Sequence, residues 1–221
     1  MGTWNSRRFR YIFKEQRVDV IHEGQKIIFI GNPRACTTSL SKLLKPKGFN
    51  FKFWHDPVQY YIDNIKNYQN YEYFMICRNP YDRFLSWWFQ LRRHSHDFIM
   101  KYKSFEEWIK SGEYHDFPKR KRGDPRPPRT YWQTHCPLKQ FDFIKNDKDI
   151  HVNILKFEKI QEDWINVFCK KTKVFNTSNY PKLPITNETN HKKYEDYYTE
   201  ELKEIVYNHA KEDFLNFGYE R

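Results

Sequence analysis

The sequence lacks any apolar run of the roughly 18 residues that a membrane-spanning helix needs. It has only 4 cysteines, which form neither a CxxC pair nor a zinc-type pattern with histidine, so no disulfide framework and no structural metal site are expected. The start of the chain also lacks the apolar stretch of a secretory signal. These absences together predict a protein of a reducing, cytoplasmic compartment.

Positive charge is what the sequence has in excess. It carries 39 Lys and Arg residues against 28 Asp and Glu, a formal net charge of +11. Such a charge favours an anionic partner: a nucleotide, an acidic or sulfated glycan, nucleic acid or a membrane surface. Aromatic residues make up 19% of the chain, which is enough to build a packed core. We expect one domain over residues 1–221, with residues 1–25 as an N-terminal extension.

Short apolar runs alternate with helical patterns along the chain. The runs predict strands at residues 26–30, 51–54, 73–77 and 151–155. The helical patterns lie at residues 37–45, 57–68, 81–93, 104–111 and 158–170, and in a last helix that Thr199 caps. This alternation predicts an α/β domain with a P-loop-like central parallel β-sheet flanked by helices.

The turn after the first buried strand is suited to an anion, because its N–H groups and the dipole of the following helix would face the ligand. Its outline is that of a P-loop, but Cys36 stands at the second glycine and Thr37 at the Walker lysine, which weakens an ATP-hydrolysing function. The cation is Arg34, whose planar guanidinium can hold a phosphosulfate group. Taken alone, the segment also fits an ordinary polar turn with an exposed arginine.

A second anion site is predicted where the next buried strand ends, at the edge where open α/β sheets bind ligands. Arg78 lies at that edge, and Ser86 lies about two turns into the following helix. Together they could grip a terminal phosphate. The structural alternative is a strand-end ion pair for Arg78 and surface pairs for Asp82 and Arg83.

Both segments resemble motifs of the sulfotransferases that use 3′-phosphoadenosine 5′-phosphosulfate (PAPS). The segment PRACTTSL, residues 33–40, is similar to the 5′-phosphosulfate loop of the family, with Cys36 in place of the more usual glycine. The segment RNPYDRFLS, residues 78–86, resembles the 3′-phosphate motif of the carbohydrate, or Golgi-type, branch almost residue for residue. The resemblance extends over residues 26–219, and residues 112–149 match poorly.

This resemblance implies the sulfotransferase fold, PAPS as the donor, adenosine 3′,5′-bisphosphate (PAP) as the product, and no required metal. It implies that Arg34 contacts the sulfuryl group and bridging oxygen, and that Arg78 and Ser86 bind the 3′-phosphate. Lys192 and Lys193 belong to a region that the family places near the 3′-phosphate; they are candidate contacts, with a solvated surface as the alternative. The remaining expected nucleotide-binding residues surround the 5′-phosphate: Ala35, Cys36, Thr37, Thr38 and Ser39.

Sulfuryl transfer to a hydroxyl needs a base near the acceptor oxygen. We select His55, since the predicted strand edge that carries it should face the same crevice as Arg34, and since the family uses a glutamate or a histidine in roughly this region. Packing or capping is the alternative role for His55, and Asp56 is the substitute base. The basic, proline-rich loop at residues 112–130 is the predicted acceptor lid, or else a charged loop without substrate contact.

The sequence therefore predicts an enzyme that transfers a sulfuryl group from PAPS to a hydroxyl of a carbohydrate-like acceptor by in-line displacement. Glycans, lipid-linked sugars, small metabolites and peptide tyrosines stay open as acceptors, in that order. The alternatives are a P-loop kinase or NTPase, which should carry a lysine at position 37, and a non-enzymatic nucleic-acid binder, which would not explain the two motifs. Eukaryotic relatives are commonly Golgi-anchored, so a trimmed chain would belong to the Golgi lumen.

Overall fold

A four-stranded sheet lies at the centre of the chain in the computed structural model, which describes residues 21–50, 56–93, 97–114, 139–175, 179–184 and 192–221. The strands are β1 (Ile21–His22), β2 (Ile27–Ile30), β3 (Glu72–Cys77) and β4 (Val152–Lys156), and they lie side by side in chain order. β2, β3 and β4 are parallel, while β1 pairs antiparallel with β2. The predicted α/β fold is confirmed, and the antiparallel edge strand is an addition.

The central strands are buried on both faces, which explains their unbroken apolar sequences. All four residues of β2 and five of the six in β3 are buried. Phe29 and Phe74 pack on one face of the sheet with Phe168, while Ile28 and Tyr73 pack on the other with helical residues that include Val58. Three predicted strands are confirmed to within one residue, and the strand expected at residues 51–54 lies outside the described residues.

Helices cover both faces of the sheet. They are α1 (Thr37–Leu44), α2 (Val58–Asn64), α3 (Pro80–Arg93), α4 (Asp97–Met100), α5 (Phe105–Ser111), α6 (Ile160–Asp163) and α7 (Glu200–Phe217). A π-helical segment, Trp164–Cys169, continues α6, and single 3-10 turns lie at Lys45–Lys47, Tyr68–Asn70, Phe141–Phe143, Phe157–Lys159 and Tyr194–Tyr197. No helix in the described ranges has the length and apolarity to span a membrane.

Two helix starts follow the capping rules. The hydroxyl of Ser104 accepts a hydrogen bond from the N–H of Glu107 at 3.1 Å, and the hydroxyl of Thr199 accepts one from the N–H of Leu202 at 3.3 Å. The start of α2 was predicted wrongly, because Pro57 has an extended ψ of 159° and is itself the N-cap rather than the first helical residue. The helix expected from residue 158 is real, but it changes from 3-10 to α to π geometry along its length.

Asp213 of α7 ties this last helix to the segment that precedes β4. Its carboxylate is almost fully buried and accepts hydrogen bonds from the N–H groups of Gln140 at 2.9 Å and Phe141 at 2.8 Å. Burial raises the pKa of Asp213, while the charge of Arg83 and these two amide donors oppose the shift. The carboxylate thus accepts hydrogen bonds from the N–H groups at the start of the Phe141–Phe143 turn. These hydrogen bonds hold Gln140 against α7.

Replacing Asp213 with alanine should lower the free energy of unfolding by about 2–4 kcal/mol, because the buried N–H of Gln140 and the part-buried N–H of Phe141 lose their acceptor and Arg83 loses a counter-charge. Urea unfolding at neutral pH measures the change. The control is Glu212→Ala, one residue earlier, where an exposed ion pair to Lys139 is removed, and it should cost about 1 kcal/mol or less. Equal losses in the two variants would contradict this role of Asp213.

Candidate anion-binding site

The turn between β2 and α1 contains two non-glycine residues in the left-handed region. Arg34 has φ of 67° and Cys36 has φ of 57°. Cys36 is the N-cap of α1 and makes no side-chain cap hydrogen bond, so its own side chain does not compete for the N–H groups of the first helical turn. A left-handed residue with a side chain costs on the order of 1–2 kcal/mol, so this turn keeps a glycine-like shape at some expense of stability.

The side chains at the start of α1 are mostly shielded from solvent. Thr37 and Thr38 are half-buried, while Ala35 and Ser39 are fully buried. Burial raises the pKa of the Cys36 thiol to about 11, although the charge of Arg78 and a hydrogen bond with Ser39 oppose the shift. The thiol is therefore neutral at physiological pH, and it adds no negative charge to a turn that is expected to bind an anion.

Arg34 reaches from this turn to the middle of α3. Its Nε and Nη2 donate to the Oγ of Ser86 at 3.0 and 2.8 Å, and its Nη1 donates to the Oε1 of Gln90 at 3.1 Å. Ser86 and Gln90 are four residues apart and share one face of the helix. The sequence placed Arg34 and Ser86 at opposite ends of a nucleotide, and the structure brings them into direct contact.

Arg78 lies beside the same turn, with its side chain 11% exposed. Its Nε donates to the Oδ2 of Asp82 at 2.7 Å, its Nη1 donates to the backbone oxygen of Arg34 at 3.2 Å, and its guanidinium lies 4.3 Å from the centre of the Phe157 ring. The ion pair that was considered as a structural alternative is thus present. It does not conflict with anion binding, because it holds a partly desolvated cation at the strand end.

Part of the second motif has a purely structural explanation. Asn79 caps α3 with its side-chain oxygen, which accepts from the N–H of Tyr81 at 2.9 Å, and Pro80 is the first helical residue. Asp82 places a negative charge in the first turn, where the helix dipole favours it. The sequence Asn-Pro-Tyr-Asp therefore starts α3. Residues that follow it in the helix contact the turn between β2 and α1.

Arg83 is 1% exposed, so the structural alternative, in which it forms a surface pair, is wrong. Its Nε donates to the backbone oxygen of Pro33 at 3.0 Å. Arg83 lies three residues before Ser86, and so occupies the face of α3 that meets the turn. The three-residue spacing between Arg83 and Ser86 was the signal in the sequence that Arg83 contacts the turn.

Asn32 and Gln140 complete the site, and sequence reasoning missed both. Each is at most 1% exposed. The Nδ2 of Asn32 donates to the backbone oxygen of Ile76 at 2.8 Å and to the Oε1 of Gln140 at 2.7 Å. Gln140 lies in the segment 112–149, where the resemblance to the family is poor, so the resemblance gave no signal for it.

Lys192 and Lys193 are exposed and lie just before a segment that docks on the start of α3. The ring of Tyr194 stacks on that of Tyr81 at 5.8 Å, and the hydroxyl of Tyr198 donates to the backbone oxygen of Tyr81 at 2.9 Å. These contacts hold the segment that directly follows the two lysines against Tyr81 of the second motif.

Two predicted features lie beyond the described residues. His55 belongs to residues 51–55, and most of the predicted lid belongs to residues 115–138; neither range is described. Both stay predictions. Within the ranges that are described, no group of three or more His, Cys, Asp or Glu side chains could hold a metal ion.

A protein-family model described as the sulfotransferase family matches residues 20–220 of the chain. The match includes both predicted anion-binding motifs and also spans residues 112–149, where the resemblance to the family is poor. No match was found among curated proteins or among solved structures.

Replacing Arg83 with lysine should lower the free energy of unfolding by about 1–3 kcal/mol, because lysine keeps the charge but loses the planar group that donates to the Pro33 carbonyl. Arg93→Lys, at the exposed end of the same helix, should change it by about 0.5 kcal/mol or less. Urea unfolding compares the two variants. Indistinguishable midpoints would show that Arg83 does not brace the turn.

Proposed function

We propose, from the premise that the chain belongs to the sulfotransferase family, that it transfers a sulfuryl group from PAPS to a hydroxyl of a carbohydrate-like acceptor. The observation that carries the proposal is the meeting of the two arginine motifs at the ends of neighbouring parallel strands, with Arg78 donating to the backbone of Arg34. A nucleotide with phosphates at both its 3′ and 5′ positions requires cations at two such points. An ATP-hydrolysing site would instead need a lysine where Thr37 stands.

The 5′ end of the donor belongs at the start of α1. The N–H groups and the dipole of this helix start favour an anion there, and Thr37, Thr38 and Ser39 carry hydroxyl groups in the same turn. Ala35 and Cys36 form the bend that lets the nucleotide approach the backbone. The 3′-phosphate belongs on Arg78 and Ser86, with Lys192 and Lys193 as additional cations near the same end of α3.

The donor supplies an activated sulfuryl group, and the chain positions it and neutralises charge. The acceptor oxygen forms a bond to sulfur as the bond from sulfur to the bridging oxygen breaks, and PAP leaves with that electron pair. Arg34 stabilises the negative charge that grows on the bridging oxygen. Since Arg34 donates to Ser86 in the structure, binding of a 3′-phosphate at Ser86 exchanges part of this contact for phosphate oxygens.

The acceptor proton requires a base, and His55 is our choice. An imidazole with an ordinary pKa near 6.5 is suited to accept a proton near neutral pH. The basic lid at residues 112–130 would favour acceptors that carry negative charge, such as acidic or sulfated sugars.

Arg78→Ala should lower the affinity for PAP by about 30- to 100-fold, because a charge-assisted contact to phosphate is lost. Its affinity for adenosine 5′-phosphate, which has no 3′-phosphate, should fall less, by about 10-fold at most, because the bond from Arg78 to the Arg34 carbonyl is lost but no contact to phosphate is. Calorimetric titration measures both, with Arg93→Ala as the exposed arginine control. The proposal fails if ATP with magnesium binds the wild-type protein better than PAP does, or if Arg78→Ala binds PAP normally.

His55→Ala should lower turnover by about 100- to 10,000-fold while the affinity for PAP stays unchanged, because general base catalysis contributes factors of that order. The assay follows radiolabelled sulfate from PAPS to an acceptor found by screening sugars. His151→Ala, which removes an exposed histidine outside the site, should retain full turnover. Normal turnover of His55→Ala would place the base elsewhere.

A further inference from the structure

Gln140 holds the backbone of Arg78 with both ends of its carboxamide. Its Oε1 accepts from the N–H of Arg78 at 2.9 Å, and its Nε2 donates to the C=O of Arg78 at 2.7 Å. A neighbouring parallel strand would make the same pair of bonds to one residue. Because β3 ends at Cys77, the side chain continues the hydrogen bonding of the sheet for one residue beyond its last strand position.

The edge of β3 that Gln140 completes is the one from which β2 departs. The backbone oxygen of Ile76, two residues before Arg78, accepts from Asn32, and successive residues on one edge of a strand are two apart. Beyond the end of β2, the side-chain amides of Asn32 and Gln140 therefore make the hydrogen bonds to this edge of β3 that a longer β2 would have made. The Oε1 of Gln140 accepts from Asn32 as well, so one carboxamide joins the beginning of that turn to Arg78.

Asp213 of α7 fixes the position of Gln140. Its N–H is held by Asp213, its Nε2 lies 3.4 Å from the same carboxylate, and the residue is fully buried. The hydrogen bonds between Gln140 and Arg78 go to the backbone of Arg78, so the effect of Gln140 on the guanidinium is one of placement. Small errors in such placement are costly, since a shift of about 1 Å in a reacting geometry can cost about 100-fold.

We propose that Gln140 is a positioning residue that places Arg78 for a 3′-phosphate and thereby sets the preference of the protein for nucleotides that carry one. The inference rests on the proposed function, because it requires Arg78 to bind that phosphate. Its signature is the ratio of the affinities for PAP and for adenosine 5′-phosphate. A purely structural role would alter stability and leave this ratio unchanged.

Two substitutions separate the hydrogen bonds from the volume of the side chain. Gln140→Met keeps a similar volume without hydrogen bonds, and it should lower the PAP to adenosine 5′-phosphate affinity ratio by about 10-fold or more. Gln140→Glu keeps the acceptor of Asn32 and Arg78, but it regains a donor to the Arg78 carbonyl only when protonated. Burial beside Asp213 raises the pKa of such a carboxyl, so its ratio should approach the wild-type ratio as the pH falls from about 8 to about 5.

Gln161 offers a matched control. Its carboxamide bonds the backbone of Leu183 in the same way, donating to the C=O at 2.7 Å and accepting from the N–H at 3.1 Å, and these bonds involve no residue of either motif. Gln161→Met should lower the melting temperature and leave the affinity ratio unchanged. Each variant is titrated with both nucleotides and compared with wild type at the same pH, because the 3′-phosphate also titrates in this range.

The outcomes are distinguishable. If the wild-type protein does not prefer PAP over adenosine 5′-phosphate, the proposed function fails, whatever the variants do. If the wild type prefers PAP and a folded Gln140→Met variant keeps the same ratio, the positioning role is wrong. If Gln140→Met does not fold, the Gln140→Glu series decides: a ratio that recovers at low pH supports the inference, and one that follows wild type at every pH overturns it.

Discussion

Two consecutive carbonyl groups of one turn hold this site together. The oxygen of Pro33 accepts from Arg83 and the oxygen of Arg34 accepts from Arg78, so the two arginines of the second motif are bonded to the backbone of the first. These bonds connect the segments that follow β2 and β3 beyond the last paired residues of the two strands. They also gather several guanidinium groups around a single turn, which favours an anionic ligand there.

Much of the surrounding structure serves to maintain that arrangement. Cys36 adopts a left-handed conformation that glycine would adopt at lower cost. Asp213 has a buried carboxyl group whose pKa is raised by burial. Neither feature is favourable by itself. Both are sustained by the packed clusters on the two faces of the sheet and around α7, as is common for strained or buried polar groups at functional sites.

The parts of the fold that could be predicted were those set by local pattern. β2 and β3 were predicted because a strand buried on both faces is apolar throughout, and the proximity of Arg34 to Arg78 because parallel strands end at a common edge. Arg83 was misjudged because a charged residue in a helix is usually exposed. Gln140 could not be found, since its role depends on a contact with Arg78, 62 residues away, that no local pattern encodes.

The central claim is that the two motifs bind the two ends of one nucleotide, and a crystal structure of the protein with adenosine 3′,5′-bisphosphate tests it most directly. The account predicts the 5′-phosphate at the first turn of α1 and the 3′-phosphate within hydrogen-bonding distance of the Arg78 guanidinium and the Ser86 hydroxyl. A nucleotide bound away from both strand ends, or bound with its 3′-phosphate in solvent, would contradict it.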